Sequence, residues 1–153
     1  MRPFKDLALK VVWQISDFRL LMSNSPLIVK YREAPTDKAD WWELYEALEE
    51  HLSDGTKLII NAGYVTDFAS VPRCLWSAFP PIGKYNRAAV VHDFLYDLQY
   101  RQKEIGEKAA RKFADEQFLF LANRVDPKNT LRHYIMYLMV RWFGRKAWRA
   151  SKF

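Results

Sequence analysis

The segment Ala88-Ala89-Val90-Val91-His92-Asp93-Phe94-Leu95-Tyr96-Asp97 brings an imidazole, two carboxylates and a phenol close together in the chain. On a helix His92 and Tyr96 lie one turn apart and share a face. Asp93 is rotated by about 100° from His92 and points beside that face. Further on, Ala114-Asp115-Glu116-Gln117-Phe118 offers another acid. A carboxylate bonded to one imidazole nitrogen fixes the tautomer and leaves the other nitrogen to take a proton from water. A carboxylate next to the histidine can hold a divalent cation, with backbone carbonyls adding oxygen ligands. Such a cation would polarise a carbonyl and stabilise the oxyanion formed when water attacks. Together these groups suit hydrolysis with water as nucleophile and no covalent intermediate.

The same residues have a structural reading. A His-Asp pair on a helix often satisfies a buried backbone group or an arginine, and Tyr96 can be a core residue whose hydroxyl finds a partner. In Thr66-Asp67-Phe68-Ala69-Ser70, Asp67 and Ser70 could cap turns while Phe68 anchors the loop. Arg73 could pair with Asp67 or Asp93. Cys74 reads as a small buried hydrophobe. A zinc-dependent reading of the His-Asp pair needs more histidines around it, and only His51 and His133 remain, in unrelated settings.

For His92 and Asp115 to meet, two helices must pack side by side. Helical segments are expected at about 86–100, 104–123 and 130–148, and a short link at Gln102-Lys103 would set the first two antiparallel. Upstream, the runs Leu9–Ile15, Phe18–Met22, Pro26–Tyr31 and Lys57–Ile60 read as strands. From Asp37 to Leu52 the spacing of Trp41, Leu44, Tyr45, Leu48 and Leu52 predicts an amphipathic helix. Residues 64–85, interrupted by Pro72, Pro80 and Pro81, read as a long connection of the kind that is often functional. The expected class is α+β: a β-rich amino-terminal part with one helix (1–63), the connection (64–85) and a helical part (86–153), forming one domain.

With 153 residues, half of them apolar, the chain has ample material for a core, and whole-chain disorder is excluded. One cysteine excludes an intramolecular disulfide framework. No run approaches the roughly 20 apolar residues of a membrane span, and the residues after Met1 lack the pattern of a secretory signal. The net charge of +6 is uneven, with seven basic residues and no acidic one from Pro127 to Phe153. Arg141, Arg145 and Arg149 recur every four residues and predict a basic stripe among aromatic residues. Such a helix suits an anionic lipid surface or a phosphate backbone. A core helix with a solvated cationic edge is the alternative.

Two resemblances bear on these residues. His92-Asp93-x-x-Tyr96, preceded by Ala88-Ala89 and followed by Ala-Asp-x-x-Phe at 114–118, resembles the catalytic helices of phospholipase A2, most of all the minimal form in parvovirus capsid proteins. That resemblance implies His92 as general base, Asp115 as the residue orienting it, Tyr96 as a supporting donor and Asp93 as a calcium ligand. Pro80-Pro81-Ile82-Gly83-Lys84 lacks the glycine-rich calcium loop of those enzymes, and Asp67 is the candidate for an additional oxygen ligand. The second resemblance, carried by Thr66-Asp67-Phe68-Ala69-Ser70-Val71-Pro72-Arg73 and Tyr85–Tyr96, is to an uncharacterised family of tailed phages and prophages. It implies a phage origin, with action in the host cytoplasm or in the virion. The expected function is a phage-associated, lipid-directed ester hydrolase. The alternative is a non-catalytic phage structural or assembly protein that binds a protein partner or nucleic acid through its basic end.

Overall fold

A computed structural model describes residues 26–33, 41–68 and 83–150. The described residues of the amino-terminal half form short antiparallel strands. β1 (Val29–Arg32), β2 (Trp41–Leu44) and β5 (Val65–Thr66) form a three-stranded sheet with β2 in the middle. Val29 stands opposite Leu44, and Trp42 opposite Thr66. β3 (Leu48–His51) and β4 (Lys57–Ile60) form a separate hairpin with Leu48 opposite Ile60. Its turn closes through the Leu52 and Thr56 backbones, with Gly55 at a φ of 84° that only glycine adopts without strain.

The helix expected over Asp37–Leu52 is therefore corrected: within the described part of that span, the chain forms β2 and β3. Leu44, Leu48, Glu50 and Leu52 are all buried, so the inward positions recur every second residue. An acid at one inward position disguised that alternation. The expected strands at Leu9–Ile15 and Phe18–Met22, and most of the long connection with Arg73 and Cys74, lie outside the described residues. The expected strands near Pro26–Tyr31 and at Lys57–Ile60 are present as β1 and β4.

The carboxy-terminal half is helical: α1 (Asn86–Asp97), a single turn α2 (Gln102–Ile105), α3 (Glu107–Val125), α4 (Thr130–Phe143) and α5 (Arg145–Arg149). The link between α1 and α3 is longer than expected and includes α2. Gln99, Arg101 and Gly106 all have positive φ there, which turns the chain sharply. α1 packs chiefly on α3, and small buried residues (Ala88 and Ala89 against a helix carrying Ala110, Ala114 and Ala122) allow a close approach. The single helix expected over 130–148 is broken at Gly144. A side chain at Gly144 would meet the Val140 carbonyl, and its Cβ would stand 2.5 Å from Tyr96 Oη.

Polar clasps join the two halves. Ser53 N donates to Gln117 Oε1 (2.7 Å), and Gln117 Nε2 donates back to Ser53 Oγ (2.8 Å). One core runs through both halves, from Leu44, Leu48 and Ile60 to Val90, Leu95, Phe118 and Trp148. The fold is α+β, and no described helix is long and apolar enough to cross a membrane.

Candidate functional site

His92 lies on the buried face of α1 because Ala88, Ala89 and Leu95 take that face into the core. Asp115 lies on the facing side of α3 and is completely buried. The two meet as the spacing suggested: His92 Nε2 is 2.9 Å from Asp115 Oδ1. Tyr96 Oη donates to the same oxygen at 2.6 Å. Arg141 Nη1, from α4, donates to the other oxygen at 2.6 Å. Burial alone would raise the Asp115 pKa, but His92, Tyr96 and Arg141 hold it below the usual carboxylate range. An ionised carboxylate only accepts, so Nε2 carries the proton and Nδ1 is the nitrogen available for exchange.

Asp93 stands on the other side of the imidazole, with Oδ1 3.8 Å from His92 Nδ1. Its Oδ2 accepts a 2.6 Å hydrogen bond from Thr66 Oγ1. Thr66 in turn accepts from the Phe68 backbone N–H at 3.0 Å, in a turn where Phe68 adopts a φ of 64°. Phe68 is buried, with its ring 5.7 Å from that of Trp42. The Thr-Asp-Phe run therefore positions the site in two ways. The buried ring anchors the turn, and the turn aims the threonine hydroxyl at Asp93. Tyr64 Oη adds a 2.9 Å hydrogen bond to Asp97 Oδ2, one turn further along α1.

Burial alone would depress the His92 pKa, but hydrogen bonds and charge from Asp115 and Asp93 raise it from 6.5 to about 9. Burial, reinforced by the Asp67 charge, raises that of Asp93 despite His92 and Thr66. Burial also raises Tyr96, as does the Asp115 charge beside it.

These shifts set a pH window for stability. A raised histidine contributes fully below its unfolded value and loses that contribution as pH rises through its folded value. His92 should thus add on the order of 3 kcal/mol below pH 6.5, lost by about pH 9. Asp115, with its lowered pKa, contributes above its ordinary value of 3.8, and that contribution is lost as the solution is acidified further. Asp93, with its raised pKa, works against Asp115 above pH 3.8, so the diagnostic limb is the basic one: denaturant unfolding should show stability falling between about pH 6.5 and 9. A stability that keeps climbing from pH 6.5 to 9 would contradict the pairing of His92 with Asp115.

A cavity of about 430 Å³ opens beside the imidazole. His92, Asp93 and Asp67 line it on one side, and Met136, Met139 and Phe143 of α4 on the other. Its size and mixed lining are those of a small-molecule site. Asp67 and Asp93 are carboxylates within reach of one cavity, and hard oxygen donors are what calcium takes. These two carboxylates would supply part of the six to eight oxygens that calcium takes, with backbone carbonyls and water for the rest. Among the described residues, no three His, Cys, Asp or Glu side chains converge on one point.

The basic stripe is corrected. Arg141 turns inward, its side chain 18% exposed, and joins the site instead of the surface. Arg145 and Arg149 both face Glu107 on α3, at 3.7 Å and 3.2 Å. The three arginines therefore do not form a free cationic row. Sequence reasoning missed Arg141, Thr66 and Tyr64 as neighbours of the site. For Arg141 the available signal was its place on a broadly apolar helix, where a charge needs a buried counterion.

A family model described as "Protein of unknown function (DUF1353)" matches residues 42–140, which includes β2 to β5 and most of the helical half that surrounds the cavity. No curated protein and no solved structure matches the chain. The matched span holds Thr66, His92, Asp93, Tyr96 and Asp115 together, and the chain belongs to the DUF1353 family.

Proposed function

We propose that the protein is a phage-associated hydrolase of phospholipase A2-like design, which directs water at a lipid-type ester. The observation that carries this reading is the division of labour around His92. Nε2 is committed to buried Asp115, while the ring lines a cavity with Asp93 beside Nδ1. Water reaching Nδ1 from the cavity would lose its proton to Nδ1 as it attacks the ester carbonyl. Asp115 then stabilises the imidazolium that forms, and the proton passes on to the leaving alkoxide. The methionine and phenylalanine side of the cavity gives an acyl chain an apolar surface.

The base must be neutral to act. With a pKa of about 9, only about one per cent of His92 is neutral at pH 7, so the rate should rise about tenfold per pH unit toward pH 9. Fatty-acid release from anionic vesicles measures it. His92→Gln should remain folded and lose about 10²–10⁴-fold in rate. Equal release by the variant and the parent protein would falsify the assignment. No step of this mechanism runs through a metal. Asp93 and Asp67 would hold a calcium ion, which would supply Lewis acidity; calcium and chelator arms of the same assay report on it.

A second reading is favoured by α4, where Leu131, Trp142 and Phe143 are each more than 70% exposed. A non-catalytic phage structural or assembly protein would dock a protein partner through such a face. Arg145 and Arg149 share the single Glu107 carboxylate and stay more than half exposed, so nucleic acid is the other partner class this end could take. Co-purification with virions, in the absence of ester hydrolysis, is the outcome that would select this reading.

A further inference from the structure

Asp115 has more donors around it than are needed to orient an imidazole. Oδ1 receives His92 Nε2–H and Tyr96 Oη–H, which already fills its two lone pairs. Oδ2 is bound instead from α4, where Arg141 Nη1 donates at 2.6 Å. Arg111 braces this contact from one turn earlier on α3. Its Nη1 donates to the Arg141 backbone carbonyl at 2.9 Å and stands 3.9 Å from Asp115 Oδ2. Arg141 is thus held at both its backbone and its guanidinium, with little freedom to leave the carboxylate.

Arg141 lies between Val140, which lines the cavity, and Trp142, which is 71% exposed. It does not line the cavity itself. The side chain instead engages Asp115. We infer that Arg141 is a positioning residue of this site: by fixing Oδ2 it sets the carboxylate plane that presents Oδ1 to His92, and it ties that geometry to the helix forming the apolar side of the cavity. The inference rests on the reading of His92 as the base. It goes beyond that reading by making α4 responsible for both the surface that would hold the acyl chain and the angle of the catalytic imidazole. A misplacement of about 1 Å at such a group costs about 100-fold in rate.

The test compares Arg141→Met, which keeps the stem and removes the donors, with Arg141→Lys, which restores one charged donor near Oδ2. The readouts are the His92 ring N–H resonance in ¹⁵N-labelled full-length protein, and kcat and KM for ester hydrolysis. Arg141→Met should move or broaden the ring N–H signal and lower kcat by about 10–100-fold with KM unchanged, because the lost interaction acts on the base and not on the substrate. Arg141→Lys should restore the signal and most of kcat. Arg141→Leu, which likewise has no donor, replaces Arg141→Met should the latter not fold, and the same displacement of the signal is expected. A folded Arg141→Met or Arg141→Leu protein with the parent ring N–H resonance would overturn the inference, as would a lysine variant no better than methionine. Where even the parent protein hydrolyses no ester, the resonance still decides the role of Arg141, and the failure belongs to the hydrolase reading alone.

Discussion

Asp115→Ala is expected to lower folding stability by about 3–5 kcal/mol and to abolish any hydrolysis that depends on His92. The carboxylate is fully buried and receives hydrogen bonds from His92, Tyr96 and Arg141. Deleting it leaves the Arg141 guanidinium facing an empty space with no anion beside it, and an unpaired buried charge is among the most costly defects a core can carry. For a chain of this length the change corresponds to a fall in melting temperature on the order of 10 °C.

Asp115→Asn is the sharper variant because it preserves shape. An amide has a single acceptor oxygen, so one of its two ends must turn an N–H group toward an existing donor, whichever way it is flipped. The anion that holds the His92 pKa near 9 is also gone, so burial should pull that value down toward or below 6.5. NMR titration of His92 alongside urea unfolding checks both consequences. A variant as stable as the parent, with the same His92 titration, would mean that these groups do not interact as the structure places them.

The pairing of His92 with Asp115 was legible in the chain because both helices obey the 3.6-residue period, and local spacing then dictates which side chains face each other. Tyr96, four residues from His92, followed from the same rule. Arg141 did not. Its spacing with Arg145 and Arg149 marks a stripe, but spacing carries no information about the Glu107 carboxylate across the helix pair or the buried anion that draws Arg141 inward. Its place on a broadly apolar helix signals a need for a counterion, but which acid answers it depends on tertiary packing and cannot be read from local spacing. Thr66 was visible within a distinctive run of residues, yet its use was not, because a hydroxyl in a turn can cap the backbone as readily as it can reach Asp93. The α+β class survived the misreading of 41–52 because the helices after Asn86 and the strand at Lys57–Ile60 carried it independently.

That misreading traces to Glu50, which supports the other large prediction: Glu50→Ala should cost about 3–5 kcal/mol without altering the chemistry at His92. Glu50 points inward from β3 with its side chain 1% exposed, and Arg124 of α3 pairs with Oε2. Arg87 of α1 reaches Oε1 at 3.2 Å and also donates to the Glu49 carbonyl at 3.0 Å. The hairpin is thereby pinned to both helices that carry the site. Removing the acid leaves two arginines, 4% and 12% exposed, beside a void. Replacing Glu50 and Arg124 together with methionine should cost less than the sum of the single changes, because Arg124 is then no longer an orphaned charge and Arg87 alone is left without its acid. Urea unfolding of the two single variants and the double variant measures that coupling. Glu50 does not line the cavity, so activity per folded molecule should stay at the parent level at temperatures where the variant is folded. The contrast with Asp115 separates the two kinds of buried acid in this fold: both hold elements together, and only one also sets the state of the imidazole. If Glu50→Ala instead shifted the His92 titration, the hairpin would be part of the site's machinery, and the boundary between scaffold and chemistry would have to move to include β3.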